Sequence, residues 1–204
     1  MKKTLEQQNR KLDKKIVSNR NIITSVIMTL LIGLSFLFDK IVINLVNIIQ
    51  YPILFKFFYT ITLLGETYIY VWIAIILTAA LLIYRRPIIA FVLTLATSGF
   101  IEWLIKITVN RPRPFAALHI SSIITTKLSS FPSGHAMMFF ALIPTMSKNF
   151  PKTKVFFWTI AVLVGLSRIY LGVHYFSDVV AGAIFGYAIG WICMKIGEKY
   201  EWKY

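Results

Sequence analysis

The chain has 204 residues, of which 57% are hydrophobic and only 15% are charged, and it carries a formal net charge of +14. Soluble domains are usually about 45–50% apolar and about 25% charged, so this composition excludes a disordered chain and an ordinary soluble enzyme. The mean hydropathy of +0.71 predicts a membrane protein with several spans and little soluble mass. The single cysteine, Cys193, excludes an intrachain disulfide and a cysteine zinc cluster.

Six apolar stretches have the length and composition expected of membrane spans. In chain order they are Asn21–Phe38, Thr60–Tyr84, Ile88–Ile105, Pro132–Ser147, Val155–Ile169 and Tyr175–Ile196. The stretch 41–59 is apolar but interrupted by polar residues, which predicts an interfacial segment between spans one and two. We therefore expect an all-α, six-transmembrane-helix bundle, with residues 1–20 as a cytoplasmic basic tail and 21–204 as a single membrane domain.

The basic residues are unevenly distributed between the two predicted sides of the membrane. Of the 22 Lys and Arg residues, 15 fall in the tail and in the loops on the same side as the tail. Such an excess favours the cytoplasm, so both termini are expected inside. Because this placement accounts for the charge, and because no basic patch is interleaved with aromatic residues, we expect no nucleic-acid partner.

Ionisable residues collect at the predicted outer ends of spans three to six. They are Lys106, Arg111, Arg113, His119, His135, Arg168, His174 and Asp178. Ionisable groups at such depths are costly unless they serve a ligand or a proton relay. Basic side chains beside neutral histidines suit an anion, and phosphate is bound well by Arg, by Lys and by the amides of a helix N-terminus.

Three short stretches give this cluster a chemical pattern. Lys106 and Arg113 are seven residues apart at the end of span three, which places two cations at a similar depth. Residues 132–135, Pro-Ser-Gly-His, open span four, where the free amides of the first turn form an anion cradle. His174 and Asp178 are four residues apart on one helix face, so the carboxylate can hold one imidazole nitrogen and leave the other free to attack.

Taken together, these stretches read Lys-x6-Arg-Pro, Pro-Ser-Gly-His and Ser-Arg-x5-His-x3-Asp. This three-part signature resembles that of the type 2 phosphatidic acid phosphatase family, and the six-span layout is similar to the family's bacterial membrane branch. The matching positions are Lys106, Arg113, Pro114, Pro132, Ser133, Gly134, His135, Ser167, Arg168, His174 and Asp178.

The resemblance implies metal-independent hydrolysis of a phosphomonoester or diphosphate through a phosphohistidine, without a cofactor. In that scheme His174 attacks phosphorus, Asp178 fixes its tautomer, and His135 protonates the leaving oxygen and later activates water. The phosphoryl oxygens would be held by Lys106, Arg113, Ser133, Gly134 and Arg168.

Four residues near the motifs are secondary candidates, namely Ser167, Arg111, Glu102 and Glu66. We expect a minor role in the phosphate cradle for Ser167 and a headgroup or rim contact for Arg111. For Glu102 an ion pair with Lys106 is favoured over a contact with the substrate. For Glu66 two interpretations stay open, namely a supporting role at the site or a headgroup contact on the one hand and simple interfacial exposure on the other. His119 is expected to be a solvated loop histidine.

Three glycines, Gly182, Gly186 and Gly190, form a stripe on span six. Such stripes serve either a dimer interface or close packing inside one bundle, and packing is the favoured interpretation here. The oligomeric state is left open by the sequence.

A site at the outer interface suits a membrane lipid phosphate, because a lipid headgroup can reach it sideways between spans. By family analogy the first candidate is undecaprenyl diphosphate, with phosphatidylglycerophosphate or phosphatidate as the alternative. A transporter for an anion or a lipid phosphate is the alternative from a different class. The absence of an internal repeat, together with charges at the interface and not at the midplane, argues against a transporter.

Overall fold

The computed structural model describes residues 19–20, 22–84, 88–117 and 129–201. The predicted tail up to residue 18, the loop residues 118–128 and with them His119 lie outside the described residues. Throughout the described part every regular element is helical. The helices are α1 (Ile22–Ile48), α2 (Pro52–Leu63), α3 (Thr67–Ile83), α4 (Ile89–Val109), α5 (Pro114–Ala117), α6 (Gly134–Asn149), α7 (Lys154–Tyr170) and α8 (Phe176–Glu201).

Within the residues that the structure describes, four helical segments are long and apolar enough to cross a membrane. They are Ile22–Ile48, Ile89–Val109, Pro151–Tyr170 and Phe176–Tyr200. The helical stretches Pro52–Leu63 and Ile69–Ile83 are apolar but shorter. The all-helical architecture and the membrane-spanning character therefore agree with the sequence, whereas the count of six spans and the interfacial segment remain predictions.

The first helix continues past the point where the sequence predicted its end. A short 3₁₀ turn at Phe36–Phe38 leads directly into the helical residues Asp39–Ile48. The predicted first span ended at Phe38, but the next residue, Asp39, is 5% exposed and is bound by other parts of the chain. A carboxylate whose hydrogen bonds are satisfied inside the fold does not have to reach water, so the helix runs on.

The predicted second span, Thr60–Tyr84, is divided into two helices. The break lies at residues 64–66, between the end of α2 and the start of α3. Gly65 lies in this break, where an added Cβ atom would be 2.0 Å from Cδ2 of His135. The break therefore brings backbone without a side chain against the histidine of the Pro-Ser-Gly-His motif.

Helix α6 lies at the centre of the bundle and packs against α4, α7 and α8. Its contact with α8 runs along the glycine stripe, because added Cβ atoms at Gly186 and Gly190 would lie 2.1 and 2.0 Å from the carbonyl oxygens of Met137 and Ala141. Only glycine permits such an approach of two helices. The expected packing role of the stripe is confirmed, and this contact holds the start of α6 against the start of α8.

Candidate active site

The three motif stretches meet where helices α6 and α8 begin and α7 ends. The backbone N–H of Ser133, just before α6, donates to the carbonyl of Asp178 at 3.0 Å. The N–H groups of Val173 and His174 each donate to the carbonyl of Arg168, in the last turn of α7, at 3.2 Å. The first of these bonds joins residues that are 45 positions apart in the sequence, Ser133 and Asp178, and the other two fix the turn after α7. The helix ends themselves therefore form the frame of the site.

His174 lies in the short connection between α7 and α8 and is 2% exposed. Its two ring nitrogens face different partners: Nδ1 is 3.5 Å from Oδ2 of Asp178 and from the Ser130 hydroxyl, whereas Nε2 is 3.4 Å from Nη1 of Arg113. Burial lowers the pKa of His174 to about 3; the hydrogen bond to Asp178 opposes this shift, and the nearby cations Arg168 and Arg113 reinforce it. The imidazole is therefore neutral at physiological pH, with Nδ1 toward the carboxylate and Nε2 toward a cation.

Asp178 is completely buried, and both of its carboxylate oxygens accept hydrogen bonds. Oδ2 accepts from the Ser130 hydroxyl and from the N–H of Tyr175 at 2.9 Å, and Oδ1 accepts from Arg111 at 2.6 Å. A buried carboxylate needs this number of donors to remain charged. Ser130 was missed by the sequence reasoning, and its only signal there is its position just ahead of the Pro-Ser-Gly-His motif.

Two buried arginines supply positive charge to the site. Arg113 is 5% exposed and donates to the carbonyl of Val173 at 3.1 Å. Its burial lowers the pKa of Arg113, while the carboxylates of Asp178 and Glu102 oppose that shift. Arg168 is 3% exposed and donates through Nη1 to the hydroxyl of Thr62 on α2. Two guanidinium groups held beside a neutral imidazole strongly attract an anion to this part of the structure.

Three buried polar atoms around this site have no hydrogen-bond partner within the described residues. They are Oγ of Ser133, Nε2 of His135 and Nε of Arg168. Buried polar atoms in folded proteins are nearly always hydrogen-bonded, so exceptions call for an explanation. All three belong to the motifs, and a bound phosphoryl group, with several strong acceptor oxygens, is the kind of ligand that would satisfy the serine and the arginine.

His135 lies in the first turn of α6. Its Nε2 is 4.0 Å from Oε1 of Glu66, which immediately precedes α3, and Gly65 packs against its ring. The structure thus brings Glu66, a secondary candidate, next to a motif histidine. The Glu66 side chain is about one-third exposed and the His135 side chain is 18% exposed, so the carboxylate lies between the partly buried histidine and the outside of the bundle.

Lys106 and Glu102 form an ion pair of 2.6 Å across one turn of α4. Both line a cavity of about 360 Å³ together with Trp103, Met138 and Ser129. The carboxylate of Glu102 also lies against the start of α6, since a Cβ atom at Gly134 would be 2.0 Å from its Oε1. The structure therefore forms the pair that the spacing suggested, and it places the predicted phosphate ligands Lys106 and Gly134 beside one carboxylate.

Two secondary candidates occupy positions that differ from the expected ones. The hydroxyl of Ser167 is buried and donates to the carbonyl of Val164 in its own helix, so it is already used inside α7 and is not a donor to the cradle. Arg111 does not lie at the rim, because its guanidinium is bound by the carboxylates of Asp178 and Asp39. Asp39 was not recognised from the sequence, where it stands 72 residues away from Arg111.

The model of the PAP2 superfamily matches residues 87–202, which contain all three motif stretches. The chain belongs to the PAP2 superfamily. Among its curated relatives, phosphatidylglycerophosphatase B from Bacillus subtilis is 32% identical over 167 residues, covering 74% of this chain and 79% of that protein. An undecaprenyl-diphosphatase from Sulfolobus acidocaldarius is 31% identical over 140 residues, covering 62% of this chain and 64% of that protein.

A solved structure shows the same fold. The crystal structure of a transmembrane PAP2 type phosphatidylglycerolphosphate phosphatase from Bacillus subtilis superposes with a TM-score of 0.67 at 23% identity, covering 87% of this chain and 96% of that one. Together with the family match and the membrane-spanning helices, this makes the present PAP2 protein a membrane-embedded lipid phosphatase, a hydrolase of phosphoric esters or diphosphates.

Proposed function

We propose that this PAP2 phosphatase removes the terminal phosphate of a lipid diphosphate or monophosphate at the outer membrane face through a phosphohistidine on His174, with undecaprenyl diphosphate as the first candidate substrate. The observation that carries the proposal is the environment of His174. Nδ1 faces Asp178 while Nε2 faces Arg113. A neutral imidazole that donates through Nδ1 presents its Nε2 lone pair to whatever anion the arginine binds.

In the first step Nε2 of His174 attacks phosphorus, and the P–Nε2 bond forms as the bond from phosphorus to the leaving oxygen breaks. The imidazole gains positive charge, which Asp178 stabilises across the Nδ1 contact. His135 gives its proton to the leaving oxygen, so the lipid departs as an alcohol or as a monophosphate. Nε2 of His135 has no hydrogen-bond partner among the described side chains and is therefore available for this transfer.

In the second step water attacks the phosphohistidine. His135, now neutral, takes a proton from that water as the new P–O bond forms and the P–Nε2 bond breaks. Inorganic phosphate leaves, His174 returns to its neutral form and His135 is again protonated. His135 thus regains in the second step the one proton that it gave up in the first. A single acid–base residue is therefore sufficient for both steps.

Arg113, Arg168, Ser133 and the amide of Gly134 are proposed to bind the phosphoryl oxygens, with Lys106 joining them once its ion pair with Glu102 rearranges. Fixed donors stabilise the charge of the five-coordinate state without reorganising at the moment of reaction. The unpartnered Oγ of Ser133 and Nε of Arg168 support this assignment. A metal ion is not required in the scheme, and metal independence is a prediction that activity in excess EDTA tests.

The substrate is proposed to reach the site sideways, along the cavity between α4 and α6. Trp103 and Met138 give this cavity an apolar wall, and Lys106 gives it a cation. Ser129 also lines the cavity and is adjacent in the chain to Ser130, which contacts His174 and Asp178. An apolar wall leading to a cationic end suits a lipid whose phosphate is the reactive group.

Phosphatidylglycerophosphate is kept as the second candidate substrate. It is supported by the relative named for that activity, which aligns with a larger share of this chain than the undecaprenyl-diphosphatase does. The two candidates differ in their leaving groups. Hydrolysis of a lipid diphosphate expels a phosphate, which leaves without much help from an acid, whereas a phosphomonoester expels an alkoxide that must be protonated.

The deciding experiment measures release of inorganic phosphate by the purified protein in detergent and excess EDTA, from undecaprenyl diphosphate, phosphatidylglycerophosphate and phosphatidate. We expect the highest kcat/KM with undecaprenyl diphosphate. A higher value for phosphatidylglycerophosphate would reassign the substrate. If the protein binds phosphate but releases none from any of the lipids, the result would favour the transporter. A transporter moves its cargo between two compartments, does not hydrolyse it, and would therefore release no phosphate in detergent.

The orientation is tested separately by labelling intact cells with a membrane-impermeant maleimide in a Cys193→Ala background. Cysteine at position 122 is expected to react because the motif side faces outward, and cysteine at position 152 is expected not to react. The opposite pattern would place the tail outside and the hydrolysis at the cytoplasmic face.

A further inference from the structure

A chain of ion pairs connects the first helix to the motif carboxylate. Arg111 donates from Nη1 to Oδ1 of Asp178 at 2.6 Å and from Nη2 to Oδ2 of Asp39 at 2.7 Å. Ser177 closes the cluster, because its N–H donates to Oδ1 of Asp39 at 2.8 Å and its hydroxyl donates to Oδ2 of Asp39 at 2.7 Å. One guanidinium therefore bridges two carboxylates that come from opposite ends of the sequence.

The guanidinium of Arg111 is also held on its faces. Its Cζ atom lies 4.0 Å from the ring centroid of Tyr175 and 4.8 Å from that of Phe36. Stacking on aromatic rings together with a two-carboxylate fork suits arginine and not lysine. With both carboxylates nearly or fully buried and the arginine side chain only 19% exposed, the cluster is shielded from solvent screening.

The charges of the cluster add up in a way that favours a cation at His174. Asp178 alone beside Arg111 would form a neutral pair and would offer little to an imidazolium. Asp39 contributes a second negative charge, so the three groups together carry a net charge of −1. The other oxygen of Asp178, Oδ2, is then able to stabilise positive charge on the imidazole that it faces at 3.5 Å.

We propose that Arg111, anchored by Asp39, is a positioning residue that orients Asp178 and balances its charge during formation of the phosphohistidine. Arg111 does not touch the substrate in this assignment, since both terminal nitrogens are directed at carboxylates. The proposal rests on the proposed function, in which Asp178 supports His174. It also gives α1 a role in the reaction, although Asp39 lies outside residues 87–202 that match the superfamily.

The test compares Arg111→Gln with Arg113→Gln, two arginines that are two residues apart. For Arg111→Gln we expect kcat to fall about 10- to 100-fold, the usual range for a residue that orients a reacting group, while KM and the inhibition constant of inorganic phosphate stay within about threefold. For Arg113→Gln both KM and the phosphate inhibition constant should rise, because this side chain is assigned to the phosphate. An increase of the phosphate inhibition constant in Arg111→Gln equal to that in Arg113→Gln would make Arg111 a phosphate ligand and overturn the proposal.

Asp39→Asn gives a second, nearly isosteric test that keeps an acceptor for the N–H of Ser177. Its kcat should fall about tenfold or less, and the double variant Arg111→Gln/Asp39→Asn should lose less than the product of the two single losses, because both residues act through one contact. Independent, multiplicative losses would overturn the proposed linkage. Thermal unfolding in detergent identifies any variant that fails to fold, in which case Asp39→Asn carries the test.

His174→Ala in the same experiment separates the two proposals. If His174→Ala is active, the phosphohistidine mechanism fails and the role of Arg111 falls with it. If His174→Ala is inactive while Arg111→Gln and Asp39→Asn match the unmodified protein in kcat, only the positioning role fails.

Discussion

The two motif histidines of the site, His174 and His135, lie in different environments. His174 is held from both ring nitrogens, by Asp178 and Ser130 on one side and by Arg113 on the other. His135 is partly exposed and packs against Gly65, and its Nε2 has no hydrogen-bond partner within the described structure, although Oε1 of Glu66 lies 4.0 Å away. The contrast indicates different tasks, because a nucleophile must be held in one tautomer and one orientation, whereas an acid–base residue must exchange a proton with changing partners.

The supports of the two residues also come from different places. The partners of His174 lie just after α4, just before α6 and in the first turn of α8, all within residues 87–202 of the superfamily match. The neighbours of His135 on the side of Gly65 and Glu66 come from the break between α2 and α3, outside that match. The proposed nucleophile is thus held by residues inside the superfamily match. The proposed acid also contacts residues of the part of the chain that precedes the match. Each of the following predictions tests this difference.

The largest effect is expected from replacing the proposed nucleophile. His174→Ala should reduce phosphate release about 10⁴-fold or more, since removal of a covalent nucleophile leaves only binding and electrostatic contributions. The measurement is inorganic phosphate release by the purified protein, with His119→Ala as the matched histidine control. Substantial activity of folded His174→Ala would assign the attack to another group.

Replacement of the proposed acid should have an effect that depends on the leaving group. On a lipid phosphomonoester, His135→Ala should cost about 10²- to 10⁴-fold, the usual contribution of general acid–base catalysis. On an aryl phosphate with an acidic phenol the first step needs no proton, so we expect a clearly smaller loss. The measurement is kcat/KM on both substrates, and equal losses on the two would remove the general-acid role from His135.

A substitution at the helix break should reproduce part of that behaviour without touching the histidine. Gly65→Ala would place a Cβ atom 2.0 Å from the His135 ring, and such overpacking usually costs about 1–3 kcal/mol of stability. We expect reduced phosphate release with the same dependence on the leaving group as His135→Ala. Gly33→Ala, where an added Cβ atom has no neighbour within 4 Å, is the control and should be unchanged. Normal activity of Gly65→Ala on the phosphomonoester would show that the ring does not need this close contact.

The smallest effect concerns protonation of His174. Burial lowers the pKa of His174 to about 3, whereas a histidine in an unfolded chain titrates near pH ~6.5. Between these values the unfolded chain binds one more proton at this position than the folded protein, so the free energy of unfolding should decrease as the pH falls below ~6.5 and should be insensitive to His174 above it.

The measurement for this last prediction is the midpoint of thermal unfolding in detergent from pH 7.5 down to pH 5, for the unmodified protein and for His174→Asn. The unmodified protein should lose more thermal stability over this interval than the variant. Titration of His174 near pH 6.5, followed by NMR of the histidine ring protons, would show that the imidazole is not held neutral by burial.

The sequence was most informative where local spacing decides the outcome. The i,i+4 spacing of His174 and Asp178 and of Glu102 and Lys106 predicted contacts that a single helix end or turn enforces. The glycine stripe predicted a close helix contact for the same reason, because three glycines at four-residue intervals necessarily share one face. Hydropathy predicted the membrane-spanning character, although the predicted second span, Thr60–Tyr84, ran across the break between the last residues of α2 and the start of α3 because both sides of the break are apolar.

The parts that could not be predicted depend on contacts between distant segments. Asp39 reads as a charge that ends a span, and only the folded chain shows that it is buried against Arg111 and Ser177. Ser130 is one of many serines in its stretch, and Ser167, a motif residue, donates its hydroxyl within its own helix. Arg111 and Arg113 look equivalent in sequence, yet one is directed at two carboxylates and the other at His174.

The sequence by itself determined that this is an all-helical membrane protein with a phosphate-directed set of cations, histidines and one carboxylate, because composition, hydropathy and fixed spacings along a helix depend on local chemistry alone. Only the tertiary structure decided which of these ionisable groups neutralise one another and which are left to face a substrate. The physical reason is that the energy of a buried charge depends on the partners within a few ångströms of it, and in this bundle those partners come from helices that lie far apart along the chain.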